Sequence, residues 1–78
     1  MKLKIIITFE DGWYISSCPS LPGCHSQGRT TKEAFANIKD AIKGYIASYA
    51  KHNEPLPVQP FIEKQIEVKY DRIPAGIR

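Results

Sequence analysis

The side chains with the greatest chemical capacity in this sequence are two cysteines and two histidines. Cys18 and Cys24 lie six positions apart around a Pro-Gly turn, His25 follows directly, and His52 is distant along the chain. Thiolates and imidazoles are the usual ligands of zinc, but structural zinc sites hold them in closely spaced pairs such as CxxC or HxxxH, which this sequence lacks. We therefore expect no metal site. Without a secretion signal, both cysteines are expected to be reduced thiols, with a disulfide as the alternative.

Cys24 and His25 could also be considered as a nucleophile and its general base. On a β-strand, however, adjacent side chains point to opposite faces of the sheet, so these two side chains cannot approach each other. The pair therefore gives no support for an enzyme, and we predict neither catalytic residues nor a cofactor.

The length of the chain bounds what it can build. Its 78 residues make about half of a typical domain, which excludes a two-domain protein. Apolar residues make up 42% and charged residues 24%, close to the globular average, so the chain is expected to fold. A domain this small buries only about 60 to 65 per cent of its unfolded surface. We therefore expect a homo-oligomer, a dimer or a tetramer, to supplement a thin core.

The chain is weakly basic. Eleven Lys and Arg residues oppose eight Asp and Glu residues, which gives a net charge of +3 without a basic stripe. Such a charge permits only loose, salt-sensitive attraction to nucleic acids. The apolar runs, such as Ile5 to Ile7, are far shorter than the ~20 residues of a membrane span, and residues 1 to 10 alternate instead of forming a signal peptide. We expect a cytoplasmic protein with no membrane contact.

Three strands are predicted in the first part of the chain. Residues 2 to 10 alternate between apolar and polar side chains, and Asp11-Gly12 suits the positive φ angles of a type I′ turn. Aromatic and β-branched residues follow, so residues 2 to 18 are interpreted as a β-hairpin. Two prolines and a glycine then predict a reversal over residues 19 to 23, and a third strand is expected from about 24 to 29.

A helix is predicted to begin after Thr30. Thr30 and Glu33 fit a capping box, in which the threonine hydroxyl accepts from the N–H of Glu33 and the carboxylate reaches back to the N–H of Thr30. Asn53 suits the left-handed conformation that ends a helix, and the prolines after it prevent continuation. The packing face, about 140° wide at helical spacing, comprises Ala34, Phe35, Ile38, Ala41, Ile42, Tyr45, Ile46 and Tyr49.

Alternation returns in residues 64 to 70, which predicts a fourth strand, whereas residues 71 to 78 have no apolar period and are interpreted as a tail. The expected fold class is α+β in the order β-β-β-α-β, with an antiparallel sheet packed on one helix. One helix covers only one face of such a sheet, so the other face would be open to a partner. In the predicted register that open face presents Ile6, Tyr14, His25 and Gln27, of which the last three are our candidate partner-binding residues.

One continuous motif carries a family resemblance. Its residues are Leu21, Pro22, Gly23 and Cys24, then Ser26, Gln27 and Gly28, and then Thr30, Glu33 and Ala34. This pattern resembles the LPGC-x-SQG-x-T-x-x-EA signature of the HicB-like antitoxin family. The turn at 11–14, the helical segment at 37–42 and the segment at 54–57 agree with the family pattern too, so the resemblance spans roughly residues 4 to 70.

The resemblance implies a partial RNase H-like fold, with a HicB-like domain over residues 1–70 and a C-terminal tail over 71–78. It also implies the function of an antitoxin in a type II toxin-antitoxin pair. The partner would be a HicA-like toxin, a small ribonuclease that cleaves messenger RNA, and the antitoxin would inhibit it by occluding its active surface. The alternative is a solitary HicB-like oligomeric binding module with no toxin partner.

The signature residues also have structural interpretations, and we expect these to dominate. Turns, tight packing and helix caps need particular residue types at fixed positions. In this interpretation the turn comprises Leu21, Pro22 and Gly23, the packed strand positions are Cys24, Ser26 and Gly28, and the cap is formed by Thr30 and Glu33.

Two departures from related proteins bear on activity. Active RNase H-like enzymes hold several carboxylates around two magnesium ions, normally on strand one and nearby elements. Here the middle of strand one is apolar, and the candidate carboxylates Glu10, Asp11, Asp40 and Asp71 are scattered at element ends or on the exposed side of the helix, so we expect no nuclease activity. Many members of the family also carry a C-terminal DNA-binding module, whereas only eight residues follow Tyr70 here. We therefore expect no sequence-specific DNA binding by this chain alone.

Overall fold

A computed structural model describes residues 1–69 as an antiparallel sheet packed against one long helix. The strands are β1 (Ile6–Glu10), β2 (Trp13–Ser17) and β3 (His25–Gly28), and the helix is α1 (Thr31–Lys51). The spatial order of the strands is β1-β2-β3. The predicted α+β class and the order of its first four elements are therefore confirmed.

The turn between β1 and β2 has the predicted conformation. Asp11 and Gly12 have φ angles of 49° and 83°, and the flanking residues Glu10 and Trp13 pair directly. Two successive residues with positive φ are what a type I′ turn requires, and this turn matches the right-handed twist of the strands it joins. β1 is shorter than predicted and begins at Ile6, because its partner strand ends at Ser17 and leaves the earlier residues without a pairing strand.

The reversal between β2 and β3 forms part of the core. The N–H of Cys18 donates to the carbonyl of Cys24 at 3.1 Å, and the N–H of Leu21 donates to the carbonyl of Cys18 at 3.0 Å. These bonds fold the loop back on itself and turn Leu21 inward, where only 1% of its surface remains exposed. Gly23 completes the reversal with a φ of 77°, a conformation that residues with a Cβ rarely adopt.

The helix begins and ends close to the predicted residues. The Thr30 hydroxyl accepts from the N–H of Glu33 at 3.0 Å, which is the predicted cap. The reciprocal bond differs from the expectation, because Glu33 Oε1 accepts from the N–H of Arg29 at 3.2 Å and not from that of Thr30. Asn53 has a φ of 54° and its N–H donates to the carbonyl of Ala50, so it ends the helix in the predicted left-handed conformation.

The core lies between the helix and the sheet face beneath it. Its fully buried members come from the loop and the helix, and partly buried residues before β1 and after α1 close it at the sides. The Tyr45 hydroxyl donates to the carbonyl of Pro22 at 2.9 Å and ties the helix to the loop. The buried set is Cys18, Leu21, Cys24 and Ile38, surrounded by Leu3, Ile5, Ala41, Ile42, Tyr45 and Leu56.

The predicted fourth strand is wrong for the described part of residues 64 to 70. Residues 64–69 have no regular structure and are all exposed, and Tyr70 and the predicted tail at 71–78 lie outside the described residues. Alternation gives a segment strand propensity, but a strand forms only when another strand satisfies its backbone N–H and C=O groups. Among residues 1–69 no such partner lies beside this segment.

Candidate functional site

One hydrogen bond determines which face of the sheet is covered. The Ser16 hydroxyl donates to the carbonyl of Ala34 in α1 at 2.9 Å, and Ser16 is fully buried. Because side chains alternate along a strand, Ser17 and its neighbours two residues away point to the opposite face. The cross-strand pairs of these residues extend that face across all three strands. We call it the open face, and it consists of Ile6, Thr8, Glu10, Trp13, Ile15, Ser17, His25 and Gln27.

The open face contains two of the three candidate partner-binding residues. Ile6 pairs with Ser17, which pairs in turn with His25, so these three side chains form one row across the sheet. Gln27 pairs with Ile15 in the next row. His25 and Gln27 are both exposed, and 42% of the surface of Ile6 is accessible. The sequence therefore assigned Ile6, His25 and Gln27 to the correct face.

The predicted position of Tyr14 on the open face is wrong. Tyr14 lies two residues before the buried Ser16 and so points to the side of the sheet that the helix covers. It pairs with Phe9 in β1, and the centroids of the two rings lie 4.9 Å apart. The error is a slip of one residue in β2, which moves a side chain from one face to the other.

The aromatic residue of the open face is Trp13, which was not among the residues predicted for that face. The guanidinium carbon of Arg29 lies 3.7 Å from the centroid of the Trp13 ring, the geometry of a cation–π contact. Continuing the β2–β3 pairing by one residue beyond Tyr14 and Gly28 places Arg29 opposite Trp13. The pair therefore follows from the strand register, which the sequence pattern alone did not give correctly. This pair gives one end of the open face an aromatic and cationic character.

The family signature residues lie at points that determine the shape of the fold. A Cβ added to Gly28 would lie 2.5 Å from the backbone N of Ala34 and 2.6 Å from Glu33 Cβ, so the start of the helix packs directly on this glycine. Cys24 is buried and the adjacent His25 is exposed, so the two side chains do not form a nucleophile and base pair.

The two cysteines of the chain lie in its core. Cys18 and Cys24 are both free thiols in the core. Burial raises the pKa of Cys24, and the nearby Cys18 acts in the same direction. A raised pKa keeps the thiol protonated at neutral pH and makes it a poor nucleophile. Within residues 1–69, no group of three His, Cys, Asp or Glu side chains is placed to hold a metal ion, and no helix is long and apolar enough to cross a membrane.

A second exposed surface is provided by residues 61–69, which we call the C-terminal segment. Its apolar side chains are accessible to solvent, with 81% of Ile62, 82% of Ile66 and 58% of Val68 exposed. Near the start of the segment, Glu63 forms a solvent-exposed ion pair with Lys4. Exposed apolar side chains grouped in this way are typical of surfaces that bind another chain.

Comparison with known proteins assigns this architecture to a family. Residues 4–72 match the sequence profile described as the HicB_like antitoxin of bacterial toxin-antitoxin systems. The chain belongs to the HicB-like antitoxin family. An antitoxin-type role follows from this membership, and the resemblance of the LPGC motif is confirmed.

The relatives of this HicB-like chain occur in archaea, bacteria and a phage. The chain is 57% identical over 58 residues to a UPF0150 protein of Thermoplasma acidophilum, covering 73% of this chain and 84% of that protein. It is 45% identical over 58 residues to a UPF0150 protein of Synechocystis, covering 74% and 73% of the two chains. An uncharacterized 14.9 kDa protein of Haemophilus phage HP1 is 42% identical over 66 residues, which cover 85% of this chain and 50% of the phage protein. No solved structure matches the chain.

Proposed function

We propose that this protein is the antitoxin of a type II toxin-antitoxin pair and that it inhibits a HicA-like, mRNA-cleaving toxin by covering its active surface. The observation that carries the proposal is the family match over residues 4–72. The chemistry of the described residues agrees with it, because buried thiols and dispersed carboxylates suit an inhibitor that binds and performs no reaction.

The open face is the surface that we assign to the toxin. It is a rigid, paired sheet, so a partner that binds there orders few flexible groups and loses little conformational entropy. It offers the Trp13–Arg29 pair at one end, the exposed His25 and Gln27 along β3, and the partly exposed Ile6 at the other edge. Aromatic and arginine side chains are enriched among the residues that dominate interface energetics. Tyr14 lies on the other face and does not belong to this surface.

Charge shapes the expected mode of binding. The chain carries a net charge of +3, and a ribonuclease that binds RNA is itself expected to be basic. Complementary charge would otherwise accelerate association and orient the partners. Because long-range attraction is missing from such a pair, affinity must come from close apolar, aromatic and hydrogen-bond contacts across the open face.

Two finer assignments accompany this function. A three-stranded antiparallel sheet followed by a helix matches the first four elements of a partial RNase H-like fold, and we propose that fold for the complete domain. We also propose that the protein acts in the cytoplasm, where a toxin that cleaves mRNA meets its substrate.

Co-expression with the adjacent reading frame tests this function. Induction of that frame alone is expected to arrest growth, and induction together with this chain is expected to restore it. Gln27→Arg places a bulky positive charge on the open face and should abolish rescue, whereas Ala47→Arg makes the same change of charge on the exposed side of α1 and should leave rescue intact. The solitary binding module would be favoured if the product of the adjacent reading frame is harmless. It would also be favoured if this chain folds but neither rescues growth nor binds that product.

A further inference from the structure

The two edges of the sheet differ in how far they are closed. At the β3 edge, the side-chain amide of Asn37 in α1 donates to the carbonyl of Gln27 at 2.8 Å and occupies a backbone acceptor. At the opposite edge, β1 pairs with β2 alone among residues 1–69, so its outward N–H and C=O groups remain available to another strand. An open edge of this kind is a template for strand addition.

The C-terminal segment has the features of the strand that such an edge would accept. Ile66 and Val68 alternate with the polar residues Gln65, Glu67 and Lys69, yet the segment pairs with no strand among the described residues. Added to β1, it could place its apolar side chains beside Ile7 and Phe9 on the helix side of the sheet, where 54% of Phe9 is exposed. Its polar side chains would then join Thr8 on the open face.

The segment leaves its own domain at the open edge. The exposed Lys4–Glu63 ion pair shows that the start of the segment lies beside the residues that lead into β1. Beyond this point the chain does not return to its own edge, and the radius of gyration is 16.0 Å, well above the value of about 11 Å for a compact chain of this length. Three prolines in the preceding connector, Pro55, Pro57 and Pro60, keep it extended.

We propose that two copies of this chain associate by exchanging residues 61–69, each segment adding as a strand to the β1 edge of the other copy. A two-fold exchange fits these observations because every copy contributes one unpaired segment and one open β1 edge, so each segment finds an edge in the other copy. In such a pair residues 61–69, which form no strand within one copy, become a strand between copies. The open face stays free in such a pair, so the inference concerns the chain alone and does not depend on the toxin.

Cysteine cross-linking of two differently tagged copies tests the exchange. One copy carries Thr8→Cys, at the centre of β1, and the other carries Gln65→Cys, at the centre of the segment and predicted to lie on the same side of the sheet. Mixing and mild oxidation should yield the mixed disulfide-linked pair as the main product by mass spectrometry. The matched control, Lys43→Cys on the exposed side of α1 mixed with Thr8→Cys, should give only the background of the natural cysteines.

Light scattering at tens of micromolar supplies the second measurement. The unmodified chain should have twice the mass of one copy. The Ile66→Lys variant, which places a charge on the apolar side of the segment, should have the mass of one copy. The control variant Gln65→Lys places the same charge on the opposite side of the segment and should keep the mass of two copies. Three outcomes would each overturn the proposal. The unmodified chain could have the mass of a single copy, or a Thr8→Cys/Gln65→Cys double variant could form its disulfide within one copy. The third outcome is a dimer that gives no cross-link between positions 8 and 65. Because no toxin is present, these outcomes are separate from a failure of the antitoxin function.

Discussion

The hydroxyl of Ser16 donates to the carbonyl of Ala34 at 2.9 Å, and this bond joins the central strand to the first turn of the helix. Ser16 is fully buried, so its hydroxyl has no water with which to exchange this partner. The bond fixes the helix on one side of the sheet and leaves the side of Ser17 open. The surface assigned to the toxin therefore depends on a contact made on the opposite face.

Ser16→Ala is expected to lower the free energy of unfolding by about 1 kcal/mol, the usual net value of one intramolecular hydrogen bond. Ser17→Ala, on the open face, should change it by less than about 0.5 kcal/mol. Urea denaturation at a fixed protein concentration measures both values. Equal effects of the two substitutions would mean that the helix side of the sheet has been assigned incorrectly.

Gly28→Ala is expected to destabilise the fold by about 2 to 3 kcal/mol, because its Cβ would overlap backbone atoms at the start of α1 that cannot move without shifting the helix. Gly44→Ala is the matched control. A Cβ at Gly44 meets no atom within 4 Å, and alanine in a helix is favoured over glycine by about 1 kcal/mol, so this variant should be more stable than the wild type. Thermal unfolding of the two variants should give shifts of opposite sign.

Several of these features could be predicted from sequence because they are local. The Asp11-Gly12 turn and the Thr30–Glu33 cap each depend on residues a few positions apart, and both form as expected. The face of Tyr14 could not be predicted with the same certainty, because it depends on the pairing of distant strands and a slip of one residue reverses it. The alternation in 64–70 indicates strand propensity but does not say whether a partner strand is present, and residues 64–69 form no strand in the structure.

Tyr45 is expected to titrate above the ordinary tyrosine pKa of about 10. Loss of contact with water is the largest cause of the raised pKa, and the nearby Tyr49, Cys24 and Cys18 act in the same direction. Because the pKa of Tyr45 is higher in the folded state than in the unfolded state, the folded state favours the neutral phenol. This contribution to stability is fully present below pH about 10 and is lost as the pH rises through the raised pKa. Comparing the tyrosinate absorbance of the wild type and Tyr45→Phe measures this titration, and a Tyr45 midpoint at or below 10 would contradict it.

The thiols of Cys18 and Cys24 are expected to resist a maleimide reagent at neutral pH. Both are buried, with 2% and 4% of their surface exposed, and burial raises the pKa of Cys24, so little thiolate is available. Reaction should accelerate at least tenfold in denaturing urea. Mass spectrometry after timed quenching follows both labels, and rapid native labelling would show that the 18–24 loop is open in solution.

The central claim is that the open face blocks the toxin, and cleavage of an RNA substrate by the purified product of the adjacent reading frame tests it most directly. Titration with this chain should abolish cleavage at about one copy per toxin. Gln27→Arg should raise the concentration for half inhibition at least tenfold, while Ala47→Arg should match the wild type. Undiminished cleavage at a tenfold excess of folded chain, or equal inhibition by Gln27→Arg and the wild type, would contradict the account.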